Sequence, residues 1–349
     1  MDFQLSDDQR ALRSGMRDLL GAVFDRDRLR AAVERDGALD RSLWRELGAA
    51  GFFALRLPEE EGGVGLGLPE AVLLFEEAGR ALLPGPLVAT HLAAGLVKGA
   101  VEGEAVVTAV AGDLAVAHLA EADAVLVVGA EPPAGEATGA ESLTGEALRA
   151  FVAAARPVRS MDPLTPLHSA RAVAERAPAA TERTPAHAGR FRFEAALLTA
   201  AEQLGSAART TEAAVQHAGS REQFGSPVGA FQAVKHLCAD MLARTEPARA
   251  AVYAAAVTGD PVEIAAAKLL ADEAAVRNAR DCLQIHGGMG FTWEADVHLH
   301  LKRAWLRAAS WLTGAGAEEL LAADLGAAGR LPRSSAAPGR PVREAGGGG

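Results

Sequence analysis

The sequence predicts a mainly α-helical protein with a helical N-terminal domain, a small β-containing middle domain and a C-terminal antiparallel four-helix bundle. The composition favours helix, because alanine and leucine dominate and aromatic residues make up only 5% of the 349 residues. Long segments with helical apolar spacing fill the C-terminal part, whereas short apolar runs occur in the middle. A chain of this length has enough apolar material for two or three packed units.

Residues 1–100 are predicted to form the N-terminal helical domain. Ser6 and Gln9 have the pattern of a capping box, and apolar residues at helical spacing follow them. Two further helices are predicted near 42–50 and 69–83, the second with a proline near its first turn. Glycine-rich turns separate these segments.

Residues 101–193 are predicted to form a shortened middle domain that contains β-strands. The apolar runs at 105–110 and 122–128 are bounded by glycine and acidic residues, as buried strands are. Turn residues punctuate the segments that follow, so we expect a small domain with few regular elements.

Residues 194–329 are predicted to form the helix bundle, and residues 330–349, which end in four glycines, a disordered tail. One helix should carry an apolar stripe formed by Phe231, Val234, Cys238, Met241 and Leu242. Short turns with glycine or proline imply that neighbouring helices run antiparallel. The predicted helices span about 194–219, 228–257, 261–286 and 295–325.

Charge and composition argue against several classes of function. A net charge of −10 with interspersed basic residues speaks against a nucleic-acid surface. The sequence shows no leader pattern and no apolar run of about 18 residues, so we expect a soluble cytoplasmic protein without a membrane segment. Cys238 and Cys282 are expected to be buried thiols rather than a disulfide. His298 and His300, two residues apart on a helix, point in different directions, so no metal site is expected.

The most informative segment is the glycine-rich turn Gln284–Gly288. It follows a helix rather than a strand and lacks the GxGxxG spacing, which argues against a Rossmann phosphate loop. Two interpretations remain open from the residues alone. The glycines either end the helix with a positive φ or let a backbone or cofactor approach closely.

A second informative segment, Arg221–Gly225, lies where the first long bundle helix ends. The arginine either interacts with the helix C-terminus or holds a pyrophosphate with its planar guanidinium. The next helix starts near Gln232, where free backbone N–H groups favour an anion.

Together these segments resemble the C-terminal bundle of the acyl-CoA dehydrogenase family, and residues 57–66 resemble its N-terminal loop. The resemblance covers about residues 1–100 and 194–325. It implies that the arginine segment and the glycine turn reach across a subunit interface to the adenine and pyrophosphate half of a neighbouring FAD. The implied cofactor-binding residues are Arg221, Gln223, Phe224, Val228, Phe231, Gln284, Gly287 and Gly288.

The same resemblance leaves the catalytic base unassigned. In this family a glutamate removes the α-proton of an acyl-CoA thioester while the flavin takes the β-hydride. The position of that glutamate in most members falls at Trp311. In a minority the base and a neighbouring arginine that helps hold the substrate lie near the start of the first long bundle helix, and these two positions fall at Ala195 and Ala196. Glu194, one residue earlier and rotated by about 100° on a helix, is the remaining candidate.

The middle domain lacks the Ser/Thr- and Gly-rich strand loop and the Trp-bearing strand that bind the isoalloxazine in the family. The chain therefore resembles the shorter subunit of actinobacterial α2β2 acyl-CoA dehydrogenases, which completes the FAD site of a longer partner subunit. Two alternatives remain: a homo-oligomeric dehydrogenase with Glu194 as base, or a flavin-free structural subunit.

Overall fold

The computed structural model describes residues 4–111, 115–128, 139–170 and 182–328. Its N-terminal part is helical, as predicted. A capping box forms at the N-terminus of the first helix. The Ser6 hydroxyl accepts from the Gln9 N–H and the Ser6 N–H donates to Gln9 Oε1, each at 3.1 Å. The helices here are α1 Asp7–Val23, α2 Arg26–Glu34, α3 Arg41–Ala49, α4 Leu68–Arg80 and α5 Leu87–Leu92.

Both predicted strands of the middle region are confirmed, as β1 Val107–Ala111 and β3 Ala124–Val128. The remaining elements of this region are β2 Val116–Ala117, β4 Gly139–Leu143, α6 Gly145–Ala154, β5 Arg156–Val158, β6 Leu167–Ser169 and β7 Glu182–His187. Strands β1 and β3 pair in parallel and belong to a four-stranded sheet in the order β1-β3-β4-β7. A second, antiparallel sheet has the order β2-β6-β5.

Three long helices and two shorter ones form the C-terminal part. The second and third long helices are joined by only two residues and pack together, so they run antiparallel. The predicted fourth helix is wrong as a continuous element, because one helix ends at Ala308, the next starts at Gly314, and the chain turns between them at Trp311, whose φ is +63°. The helices are α7 Ala188–Ser220, α8 Gln232–Thr258, α9 Pro261–His286, α10 Val297–Ala308 and α11 Gly314–Ala328.

Two glycines let α4 and α7 cross in backbone contact. A Cβ added at Gly79 would overlap the carbonyl of Glu202, and one added at Gly205 would overlap the carbonyl oxygen of Glu76. This crossing joins the N-terminal helices to the bundle in one apolar core. It also fixes the position of Glu202 beside the middle region.

No helix in the described part of the chain is long and apolar enough to cross a membrane. The predicted boundaries near residues 100, 193 and 329 stay predictions. The predicted tail, 330–349, lies outside the described residues.

Candidate cofactor surface and cavity

The arginine segment folds into a small β-hairpin at the end of α7. Its strands β8 Glu222–Gln223 and β9 Ser226–Pro227 are joined by Phe224 and Gly225, whose φ angles are +55° and +79°. Positive φ at both central residues matches the right-handed twist of a two-residue hairpin. As a result the Phe224 ring projects from the surface and is 93% exposed.

The glycine turn begins where α9 ends at His286. Gly287 has φ +61° and ψ −143°, a conformation that favours glycine. A Cβ added at Gly287 or Gly288 would meet nothing within 4 Å, and Gln284 is exposed on the preceding turn. The outer face of the turn is therefore open to another molecule.

The hairpin and the glycine turn lie at the same end of the bundle. The rings of His217 on α7 and His286 on α9 stack with their centroids 4.1 Å apart. Val228, whose N–H donates to the Arg221 carbonyl at 2.8 Å, packs into an apolar cluster with Cys282 and Leu283. The structure thus places all eight predicted cofactor residues at one end of the bundle.

This surface, defined by the hairpin and the glycine turn, presents an arginine and two exposed aromatic rings. The Arg221 side chain makes no ion pair with any described residue. Phe224 meets Phe231 edge to face, with ring centroids 6.1 Å apart, and Phe231 is 43% exposed. A free guanidinium beside exposed rings is suited to a phosphate joined to an aromatic base.

The nearby thiols do not supply a nucleophile. Cys238 and Cys282 are free thiols, as predicted; Cys282 is buried as expected, but Cys238 is only half-buried. Burial raises the pKa of Cys282 to about 12 and raises that of Cys238 as well. Both sulfurs therefore remain protonated thiols at neutral pH.

Glu194 lies near the opposite end of α7, about 40 Å from Arg221 at 1.5 Å per residue. Its carboxylate accepts from Arg56 at 2.8 Å and from Arg190 at 2.7 Å. Burial alone would raise the pKa of Glu194, but the hydrogen bonds and charges of the two arginines outweigh it and lower the pKa. A carboxylate held in this way is a weak base.

The other positions at which the family resemblance places the catalytic base hold apolar residues. Ala195 and Ala196 are fully buried in the core. Trp311 packs against Phe191, with ring centroids 5.9 Å apart, and lines a partly open cavity of about 290 Å³. The cavity lies where the start of α5, the strands β1 and β2, α7 and α10 meet.

Sequence reasoning missed the charged residues of this cavity. Arg307 Nη2 donates to Glu202 Oε1 at 2.7 Å, and Arg303 pairs with Asp162. Burial raises the pKa of Glu202 and lowers that of Arg307 to about 10. The sequence does contain a pattern that indicates their burial. Arg303 and Arg307 follow the apolar Leu299 at intervals of four residues, so the three lie on one helical face, and Leu299 is fully buried.

His298 and His300 diverge as predicted. His298 stacks on Trp293 with ring centroids 5.1 Å apart, whereas His300 Nδ1 lies 2.8 Å from the Ser206 hydroxyl. Within the residues that the structure describes, no three ligating side chains are grouped for a metal.

Comparison with known families covers most of the chain. Residues 6–101 match the acyl-CoA dehydrogenase N-terminal domain, and residues 189–329 match the acyl-CoA dehydrogenase C-terminal domain. The structure is similar to the Tcur3481-Tcur3483 steroid ACAD G363A variant, with 24% identity, a TM-score of 0.76 and coverage of 93% and 98% of the two chains. It is also similar to the ChsE4-ChsE5 complex from Mycobacterium tuberculosis, with 24% identity, a TM-score of 0.77 and coverage of 95% and 100%.

Two relatives from M. tuberculosis strain H37Rv have higher identity. Acyl-CoA dehydrogenase IpdE2 is 38% identical over 285 residues, which cover 79% of this chain and 84% of that protein. Acyl-CoA dehydrogenase FadE34 is 36% identical over 85% of this chain but only 46% of its own length. By these matches over both its N- and C-terminal parts, the chain belongs to the acyl-CoA dehydrogenase family of oxidoreductases.

Proposed function

We propose that this chain is a subunit of a heteromeric, FAD-dependent acyl-CoA dehydrogenase and completes the FAD site of a longer partner subunit. The complex would introduce an α,β double bond into an acyl-CoA thioester. The observation that carries the proposal is the surface formed by the hairpin and the glycine turn, where Arg221 has no carboxylate partner among the described residues.

The groups on this surface fit the adenine and pyrophosphate end of FAD. The guanidinium of Arg221 offers paired N–H donors to phosphate oxygens. Gly287 and Gly288 leave room for close approach of a nucleotide. Phe224 and Phe231 offer exposed aromatic rings beside it. When FAD is bound, its flavin supplies the hydride acceptor.

A subunit that completes a partner's site across an interface explains why the cofactor surface of this chain lies far from the expected positions of the base. Arg221 lies about 29 Å along α7 from Glu202, which lines the cavity. Glu194, Ala195, Ala196 and Trp311 provide no free carboxylate at the expected base positions. We infer that the partner contributes the base and the isoalloxazine pocket.

Exposed apolar side chains beside the cofactor surface support a protein partner. Most of the predicted stripe on α8 is not buried in the chain: Met241 is fully buried, but Leu242 is 53% exposed. Val215 on the adjacent α7 is 52% exposed, and both side chains line one groove. An apolar surface of this kind is typical of a subunit interface.

The names of the similar structures support the same arrangement and a steroid-type substrate. ChsE4-ChsE5 and Tcur3481-Tcur3483 are each named as a pair, and the latter is named a steroid enzyme. FadE34 has more than half of its length outside the match, which leaves room for a second unit in one polypeptide. We expect the partner here to be a separate, longer family member in an α2β2 assembly.

The test is co-expression of this chain with a longer family member, followed by measurement of bound flavin and acyl-CoA oxidation. Arg221→Ala should strip flavin from the complex, whereas Arg10→Ala on α1 should not. Stoichiometric FAD and turnover from the chain alone would contradict the proposal and favour a homo-oligomeric enzyme. A flavin-free but intact complex would favour a purely structural subunit.

A further inference from the structure

We propose that the stacked rings of His217 and His286 are a positioning pair, which joins the hairpin to the glycine turn and holds both in place for the adenine and pyrophosphate end of FAD. The inference rests on the proposed function and adds to it two residues outside the predicted cofactor set. It also makes the junction sensitive to pH, because two imidazole rings no longer stack once both carry a proton.

Each ring lies at the base of one cofactor segment. His217 is in the last turn of α7, and its carbonyl accepts the Arg221 N–H at 2.8 Å where the hairpin begins. His286 is the final residue of α9 and precedes Gly287, whose N–H donates to the Gln284 carbonyl. The ring planes are 24° from parallel and the centroids are 4.1 Å apart. The pair therefore bridges the two points from which the cofactor segments emerge.

The His286 ring is fixed by its own helix. Nδ1 donates to the Cys282 carbonyl at 2.8 Å, and the Cys282 Sγ lies 3.6 Å from the same nitrogen. Because a carbonyl only accepts, Nδ1 carries the proton in the neutral ring. The fixed ring offers a flat face on which His217 packs.

The stack supplies a geometric constraint that the neighbouring packing does not. Val228 of the hairpin segment packs into the apolar cluster that contains Cys282 and Leu283. Apolar contacts of this kind are non-directional. Two stacked rings, in contrast, have a preferred separation and tilt. The position of Arg221 relative to Gly287 therefore depends on the pair.

The surroundings of the pair disfavour a second positive charge. Burial, followed by the charges of His286 and Arg221, lowers the pKa of His217 below its ordinary value of 6.5. Lys235 of α8 lines a groove together with Ala218, the neighbour of His217. No carboxylate among the described residues pairs with either imidazole. The other titratable or charged groups around the pair are Arg209 on α7, Cys282 on α9, Cys238 on α8 and Glu222 on β8.

Acid should loosen this junction. At neutral pH His217 is uncharged, and a neutral ring can stack on its partner. As the pH falls below about 6.5, His217 gains a proton, and two imidazolium rings at this separation repel each other. Because the pKa of the folded state is the lower one, the contribution of the stack is present at neutral pH and is lost on acidification.

The first test measures the FAD affinity of the complex with a longer family member at pH 7.5. His217→Ala removes the stack but keeps a helix-forming residue, and should weaken FAD binding about 3- to 10-fold. His217→Phe places a ring on His286 again and should stay within about twofold of the wild type. His236→Ala, at an exposed histidine on α8, is the matched control.

The outcomes of this test separate the inference from the proposed function. Wild-type affinity in His217→Ala, or an equal loss in His217→Phe, would overturn the positioning role while the flavin of the wild-type complex still supports the proposed function. A wild-type complex that holds no flavin would overturn both.

The second test uses the full chain without cofactor, because a bound pyrophosphate would change the charges around the pair. Hydrogen-exchange protection of residues 221–228, corrected for the intrinsic exchange rate at each pH, reports the order of the hairpin. In the wild type we expect this protection to fall at least about threefold more than that of α4 between pH 7.5 and 5.5. His217→Phe cannot take up a proton at this position and should show no such excess. No excess in the wild type, or the same excess in His217→Phe, would overturn the pH sensitivity of the pair.

Discussion

Helices α4 and α7 touch through their backbones at Gly205, where an added Cβ would overlap the carbonyl oxygen of Glu76. Gly79 makes the reciprocal contact with Glu202. The side chain of Glu76 continues this junction, because it pairs with Arg249 and accepts from the Tyr253 hydroxyl at 2.6 Å. One crossing therefore holds together the N-terminal helices, the bundle and one wall of the cavity.

Replacing either glycine of this crossing should destabilise the protein. Gly205→Ala must push the two helices apart, and we expect a loss of about 1–3 kcal/mol or more in the free energy of unfolding. The control is Gly21→Ala on α1, where nothing lies within 4 Å of an added Cβ. That variant should be stabilised by about 0.5–1 kcal/mol. Urea unfolding measures both, and equal effects would contradict the close contact.

The stability of the fold should fall in acid. Burial, followed by neighbouring arginines, lowers the pKa of His300 to about 3, whereas an unfolded histidine has a pKa of about 6.5. Between these values the unfolded chain binds a proton that the folded chain does not. The free energy of unfolding therefore falls as the pH decreases below about 6.5, by up to about 1.4 kcal/mol per pH unit from this residue.

His300→Gln should reduce that slope and can keep a hydrogen bond to Ser206. Urea unfolding between pH 4.5 and 7.5 measures how the free energy of unfolding changes with pH. His236→Gln, at an exposed histidine on α8, is the control. The same slope in wild type and His300→Gln would show that this imidazole is not the group responsible.

Glu194 should contribute to stability rather than to proton abstraction. Glu194→Gln weakens the contacts with Arg56 and Arg190, and we expect a loss of about 1–3 kcal/mol in the free energy of unfolding. Turnover of the assembled enzyme should stay within about twofold once the protein is folded. Loss of turnover with unchanged melting temperature and flavin content would instead identify Glu194 as the base.

Substitutions at the two glycines of the turn should distinguish the effect of backbone strain on stability from the effect of contact with the cofactor. Gly287→Ala places a side chain at φ +61° and should cost about 1–3 kcal/mol in the chain alone. Gly288 has no positive φ and open space around it, so Gly288→Ala should change the stability of the chain by less than about 0.5 kcal/mol.

If the turn approaches FAD closely, Gly288→Ala should still lower the flavin content of the complex. Thermal melting measures the stability of the chain, and flavin absorbance of the co-purified complex measures its flavin content. Full flavin retention in Gly288→Ala would show that the turn does not approach the cofactor.

Much of this protein can be predicted from short stretches of sequence. The capping box at Ser6, the strands at 107–111 and 124–128 and the long helices depend on local spacing and turn residues. The motif residues at Arg221 and Gln284–Gly288 are enough to indicate the family. Local patterns suffice here because helix and strand periodicities arise from backbone geometry within a few residues.

Only the tertiary structure decided which charges are buried and what they contact. Glu202 and Arg307 are 105 residues apart in sequence, and their pairing depends on how α7 and α10 pack. The ion pair between Glu194 and Arg56 and the contact between Trp311 and Phe191 depend likewise on distant neighbours. Helical spacing places a side chain on a face, but the partner that packs against that face determines its environment. The sequence by itself therefore determined the family and the cofactor motif, and the packing of distant helices decided the cavity and its arginines.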